Sequence, residues 1–133
     1  MEYTYILQEE TPAKKNNRMT LRNGRTIVSK RFIVWHAGAV VQIYSQKRPA
    51  IPIETPTTIK ARFYHKDRVR RDSDNQITSI LDLLKDTGVI ADDNWEIIRK
   101  IEVENFYCKE KSFCKISLND YTTKNMQQKD IKE

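Results

Sequence analysis

Only two cysteines, Cys108 and Cys114, and two histidines, His36 and His65, occur in the 133-residue chain. Two cysteines are too few for a disulfide framework, and no local cluster of cysteine and histidine completes a zinc site. A bridge across a hairpin is open to the pair, but free thiols are the expectation in a reducing compartment. No apolar run approaches the ~18 residues of a membrane span. The N-terminus, Met1-Glu2-Tyr3-Thr4-Tyr5, has no basic n-region and no long apolar h-region. No secretory signal is therefore expected, and the default compartment is the cytoplasm. The apolar residues do not form an amphipathic interfacial helix with a Lys/Arg-rich polar face, so a membrane partner is not expected.

Acids are also missing where bases abound. No Asp or Glu lies between Thr11 and Ile53, a stretch that carries Lys14, Lys15, Arg18, Arg22, Arg25, Lys30, Arg31, Lys47 and Arg48. Residues 1–71 hold 15 Lys or Arg against 5 acids, a balance of +10, and residues 72–133 hold 9 against 13, a balance of −4. A second basic knot follows at Lys66, Arg68, Arg70 and Arg71, interrupted by Asp67. Neutralising phosphates releases condensed counterions, so a basic half of this kind attracts polyanions. A solvated basic surface without a partner is the bland alternative.

The hydrophobic pattern predicts an α+β domain over residues 1–118, a small mixed or antiparallel sheet with two main helices packed on it, and a polar, disordered tail over 119–133. Tyr3 to Gln8 reads as a strand, and Asn23-Gly24 as the two-residue type I′ turn of a hairpin spanning Met19 to Ser29. Ser29 is the expected N-cap of a helix reaching about Gln46, with Phe32, Trp35, His36, Ala39, Val40, Ile43 and Tyr44 at helical spacing. Thr57 to Tyr64 alternates as a strand. Asp74 or Asn75 opens a second helix with Ile77, Ile80, Leu81 and Leu84 as its stripe, ended by Gly88 in a left-handed conformation. Trp95 to Tyr107 reads as a long strand, returned by Lys109–Ser112 as Phe113 to Leu118.

The acids near the second helix have a suggestive spacing. Asp72-Ser73-Asp74 directly follows Arg68-Val69-Arg70-Arg71, and Asp92-Asp93 follows the helix. Residues two apart in an extended segment share a face, so Asp72 and Asp74 are expected to converge. A return segment along the helix would add Asp92 or Asp93. Crowded carboxylates repel unless a cation sits among them, and Mg²⁺, bound by a few carboxylates and several waters, is the usual answer. Such a metal serves phosphodiester hydrolysis, with arginines holding phosphate against the acids. The bland alternatives are Asp74 as an N-cap, Asp72 paired with Arg70 or Arg71, and Asp92-Asp93 as a turn.

Together, Arg70-Arg71-Asp72-Ser73-Asp74-Asn75, a helix and then Ala91-Asp92-Asp93 resemble the RusA-type Holliday junction resolvases, endodeoxyribonucleases typical of phages and prophages. That family carries an Arg-rich R-x-D-x-D-N motif, a helix and a D-D pair downstream. Asn16-Asn17-Arg18, Gly24-Arg25-Thr26 and Val28-Ser29 look like the family's opening, and the likeness covers roughly residues 12 to 105. The resemblance implies a homodimer that uses Mg²⁺ or Mn²⁺ to cut a four-way DNA junction symmetrically, in recombination and repair. A C2 dimer places one site on each of two opposed strands. It implies Asp72, Asp74 and Asp93 as catalytic acids, with Asp92 beside them as a further metal ligand. It implies Asn17, Arg18, Arg25, Lys66, Arg68, Arg70 and Arg71 as DNA contacts, and no small-molecule substrate. The chain departs from the pattern at Thr78, where the family's best-known members place a lysine. Lys85 is two turns away, so Lys66 or Arg70 must supply the charge or catalysis is weakened.

Two other readings remain beside this one. A non-catalytic, structure-specific nucleic-acid binder needs only the basic half, and Thr78 suits it. A metal-free RNase or toxin-like protein would need a His or an Arg/Lys set as acid–base; His36, within a helix, reads as structural, and His65 lies at a strand end near Asp72. Trp35 lies on the apolar helix stripe and reads as core, and Trp95 as core or stacking platform.

Overall fold

The computed structural model describes residues 1–13 and 18–122, with residues 18–20 and 26–28 as backbone only. In chain order the elements are β1 (Glu2–Gln8), β2 (Arg18–Thr20), β3 (Thr26–Val28), α1 (Lys30–Tyr44), β4 (Thr57–His65), α2 (Ser73–Asp86), β5 (Ile98–Tyr107) and β6 (Phe113–Asp120). Four strands form a mixed sheet in the order β1-β6-β4-β5, and β2 pairs with β3 as a separate ribbon. β4 and β5 run parallel, joined by α2 as the crossover, while β6 is antiparallel to both β4 and β1. This is the expected α+β arrangement. The connection after β5 is not a hairpin, however. Residues 108–112 cross the end of β4, and β6 pairs beyond it. A parallel β4–β5 pair already fills that side of β4, so β6 takes the other.

Alternation along β4 explains the single core. Thr57, Ile59, Ala61 and Phe63 are buried, while Thr58, Lys60, Arg62 and Tyr64 are half-exposed on the opposite face. The buried face meets Tyr5 and Leu7 of β1, Cys114, Ile116 and Leu118 of β6, Phe32, Trp35, Ala39 and Ile43 of α1, and Ile77, Ile80, Leu83 and Leu84 of α2. Trp35 is thus a core residue, as its position on the stripe predicts.

The free edge of β1 is closed by α1. Gln46 Oε1 accepts from the Ile6 N–H at 3.1 Å, and Gln42 Oε1 from the Gln8 N–H at 2.7 Å. Side-chain amides thus replace the strand partner that an edge lacks. α1 stops at Tyr44, two residues short of Gln46, and Ser29 caps its start by accepting from the Phe32 N–H.

Local chemistry moves several predicted boundaries. The hairpin does not use a two-residue turn. Gly24 N–H donates to Leu21 O at 2.9 Å, Leu21 N–H to Arg25 O at 2.7 Å, and among the loop residues only Gly24 has a positive φ, 83°. This is a turn followed by a left-handed glycine, the longer hairpin connection. α2 begins at Ser73 with Asp72 as its N-cap, so Asp74 lies in the first helical turn rather than in an extended segment. The same-face argument for Asp72 and Asp74 therefore does not apply. At its other end Gly88 (φ 74°) takes the left-handed position as expected. Its N–H donates to Lys85 O and that of Val89 to Leu84 O, the Schellman pattern. β5 starts at Ile98, not Trp95, because Asn94 Oδ1 accepts from the N–H groups of Glu96 and Ile97 and holds a turn there. Trp95 is 71% exposed. β6 runs on through Asp120, into the segment expected to open the tail; the rest of that tail, 123–133, lies outside the described residues. Among the described residues no helix is long and apolar enough to cross a membrane.

Both cysteines are free. Cys114 is fully buried on the core face of β6, and burial pushes its thiol pKa up, whereas Cys108 is half-exposed. A thiol reagent is expected to label one cysteine, Cys108, in the folded protein and Cys114 only after denaturation, as read by mass spectrometry of the labelled peptides.

Candidate active site

The parallel β4–β5 pair fixes where chemistry can gather. In open sheets, ligands bind outside the carboxyl ends of parallel strands. Here the chain leaves β4 at His65, runs through residues 66–72 and enters α2 at Ser73. The basic knot and Asp72 fall on this connection, and Asp74 follows in the first turn of α2.

The loop is built by its own side chains. Asp67 Oδ1 accepts from the Val69 N–H at 3.0 Å. Arg71 grips Asp67 with two bonds, Nη1 to Oδ1 at 2.8 Å and Nη2 to Oδ2 at 3.2 Å. These contacts, the Arg71 hydrogen bond first and the Val69 N–H second, hold the Asp67 carboxyl at about 2, below the ordinary 3.8. A depressed carboxyl pKa favours the fold at higher pH. The pair's contribution is complete above 3.8 and is lost as pH falls through about 2. Arg71 Nε also lies 3.7 Å from Glu10 Oε2, and only 20% of the Arg71 side chain is exposed. Arg71 is therefore a strut. Arg68 stacks over the Tyr107 ring at 4.1 Å, and Lys66 and Arg70 are exposed.

A cleft of about 420 Å³ opens beside this loop. Thr11, Pro12 and Ala13 line one wall, Val69, Arg70, Arg71 and Asp72 another, and Arg31 and Gln76 complete it. Three guanidinium-bearing residues thus border a cavity that contains one of the Asp-x-Asp acids. Arg31, from the first turn of α1, was not among the expected DNA contacts. Its place in the acid-free stretch was the available signal, but only the fold brings it to Asp72.

The acids divide into two groups. Asp72 and Asp74 are exposed and carry no ion pair among the described residues; Asp72 Oδ2 only accepts from Asn75 Nδ2 at 3.4 Å. Asp93 instead pairs with Lys85 at 3.3 Å, in the last turn of α2. Partial burial lowers the Lys85 pKa, but the Asp93 hydrogen bond and the charges of Asp93, Asp82 and Asp92 outweigh it and raise it. Asp92 accepts from Asn94 Nδ2 and from the Asp93 N–H, each at 2.9 Å, and these bonds lower its pKa. Eleven residues separate Asp74 from Lys85, roughly 16 Å along a helix axis. The two acid pairs sit at opposite ends of α2. Among the described residues no group of three or more His, Cys, Asp or Glu is gathered as a metal site. The carboxylates of Asp72 and Asp74 offer oxygen donors of the kind Mg²⁺ takes, an ion that needs only one or two carboxylates beside water and substrate phosphate.

The remaining candidates are dispersed. Arg25 stands exposed in the β2–β3 connection, Arg18 opens β2, and Asn17 lies outside the described residues. His36 bonds Asp86 at 2.9 Å and ties α1 to the C-terminal end of α2, away from the cleft. Thr78, at the position where the resemblance implies a lysine, donates its Oγ1 hydroxyl to Asp74 O at 2.9 Å.

Exposed and strut arginines make different predictions. Arg68→Ala and Arg70→Ala should each lower the slope of log K for DNA against log salt by about 0.9 and leave the melting temperature unchanged. Arg71→Ala should also destabilise the fold, on the order of 1–3 kcal/mol, by leaving the half-buried Glu10 short of a partner. Salt titration of binding and thermal melting separate the two cases.

No curated protein matches the chain. The family model described as endodeoxyribonuclease RusA matches residues 9–118, a span that holds the arginine-lined cleft, the Asp72-x-Asp74 pair and both sheet strands beside them. By that match the chain belongs to the RusA endodeoxyribonuclease family.

Proposed function

We propose that the chain is a metal-dependent endodeoxyribonuclease that resolves four-way DNA junctions by paired, symmetric phosphodiester hydrolysis in recombination or repair. It acts as a homodimer on branched DNA, in the cytoplasm, where its two free thiols stay reduced. The observation that carries this reading is the Asp72–Asp74 pair. These are carboxylates without cationic partners among the described residues, Asp72 in the wall of an arginine-lined cleft and Asp74 two residues on, in a chain of this family.

The residues divide the work by charge. Asp72 and Asp74 would hold Mg²⁺ or Mn²⁺, which when bound supplies Lewis acidity and an activated water. Arg31 and Arg70 border the cleft and would take the phosphates flanking the scissile bond, offsetting the repulsion between carboxylate and backbone. Arg68 and Lys66 extend that contact along the loop. Arg71 holds the loop's shape through Asp67 and Glu10. Asp93 and Asp92, proposed as ligands by family position, stand with Lys85 and Asn94 in a single chain.

The non-catalytic binder keeps one supporting observation. The place of the family lysine is taken by Thr78, and Lys85 is engaged by Asp93 and Asp82. Asp74→Asn discriminates between the two. In the nuclease it abolishes cleavage and keeps or tightens junction binding, because removing a negative charge lowers repulsion toward phosphate. A protein that only binds shows no cleavage to lose. If cleavage is present but slow, Thr78→Lys is expected to raise kcat.

A further inference from the structure

The residues on either side of Asp72 are held by one connected set of side chains. On one side, Arg71 Nε lies 3.7 Å from Glu10 Oε2. Glu10 presents both oxygens to His65 Nδ1, each at 2.9 Å. His65 Nε2 meets Asn105 Oδ1 at 2.7 Å. Asn105 Nδ2 then donates to Ser73 Oγ at 2.8 Å, on the other side of Asp72. The path Arg71–Glu10–His65–Asn105–Ser73 is a closed ring once the main chain through Asp72 is added. Gln76 Nε2 donates to Glu10 Oε2 at 3.0 Å and to Thr11 O at 3.1 Å, which ties the second turn of α2 to the same carboxylate.

We propose that Glu10, His65 and Asn105 are positioning residues that fix the backbone on both sides of Asp72 and so set its carboxylate for cation binding. The inference rests on the reading of Asp72 as a metal ligand and adds residues that this reading did not include. Two features favour positioning over plain stability. The His65 and Glu10 side chains are only 12% and 15% exposed, and a pair of ionisable groups taken that far out of water is commonly no more stable than apolar residues of the same volume. In addition, Glu9 takes a φ of 78° at the end of β1, a conformation unfavourable for a residue with a Cβ. That turn redirects the chain where it delivers Glu10 beneath the loop. Two strands, through His65 and Asn105, and the strained turn after β1, through Glu10, thus converge on a single peptide segment.

Ser73→Ala and Asn105→Leu cut the ring at exposed or half-exposed positions without touching the core. The test is a Mn²⁺ titration of the full chain by electron paramagnetic resonance without DNA, together with junction cleavage and thermal melting. Outer contacts to a metal ligand are worth roughly 10- to 100-fold in affinity or activity. Both variants should therefore weaken Mn²⁺ binding by about 10-fold and lower kcat similarly, with the junction KM and the melting temperature unchanged. Ser73→Thr, which keeps the hydroxyl, should restore wild-type values. Asp72→Asn serves as the reference. If it loses Mn²⁺ while Ser73→Ala and Asn105→Leu bind as wild type, the positioning role is overturned and the metal reading stands. If Asp72→Asn binds Mn²⁺ as wild type, the metal reading falls and the positioning role falls with it.

Discussion

The parallel pairing of β4 with β5 is the constraint on which the site depends. Two parallel neighbours cannot be joined by a tight turn, so α2 must cross between them. The crossover places the 66–72 connection and the first turn of α2 together at the carboxyl end of β4. It also pushes β6 to the other side of β4 and leaves β1 at the sheet's edge, where Gln42 of α1 and Gln46 just beyond it close it. With β1 anchored, its far end can deliver Glu10 under the same loop. The arrangement of the cleft thus follows from strand order before any catalytic argument is made.

Electrostatics then sorts the charged residues into structural and available ones. Asp67, Arg71, Glu10, Lys85 and Asp93 are all engaged in ion pairs at 3.7 Å or less, and His65 is hydrogen-bonded to Glu10. Asp72 and Asp74 have no such partner among the described residues, although three guanidinium groups border the cleft beside Asp72. A chain with an excess of bases leaves two neighbouring carboxylates uncompensated at a helix start. The N-terminal end of a helix favours negative charge, which eases but does not neutralise the pair. The uncompensated pair is what distinguishes this loop from an ordinary solvated charge run.

Much of this was legible in the sequence, for identifiable reasons. Ile77, Ile80 and Leu84 announced α2 because a half-buried helix must repeat its apolar face, and Gly88 announced its end because few other residues accept a left-handed conformation. The Arg-x-Asp-x-Asp-Asn run and its spacing to Asp92-Asp93 pointed to the family later matched over residues 9–118. What the sequence concealed was tertiary. Nothing local distinguishes a hairpin after Tyr107 from a connection that crosses β4. Asn94 delays β5 through a side-chain turn that periodicity does not register. Asp72 and Asp74 were expected to share an extended face, whereas a helix begins between them. The Glu10–His65 pair joins residues 55 apart in the chain, and only the fold brings them together.

On the proposed function, this chain cuts branched DNA with a metal held at Asp72 and Asp74. The most direct measurement is strand-resolved cleavage of a synthetic four-way junction beside a matched linear duplex, each in Mg²⁺, Mn²⁺ or EDTA. Paired, symmetric nicks in the junction with either metal, none in EDTA, and an intact duplex are expected. Tight junction binding with no nick in either metal, or cleavage that persists in EDTA, would contradict it.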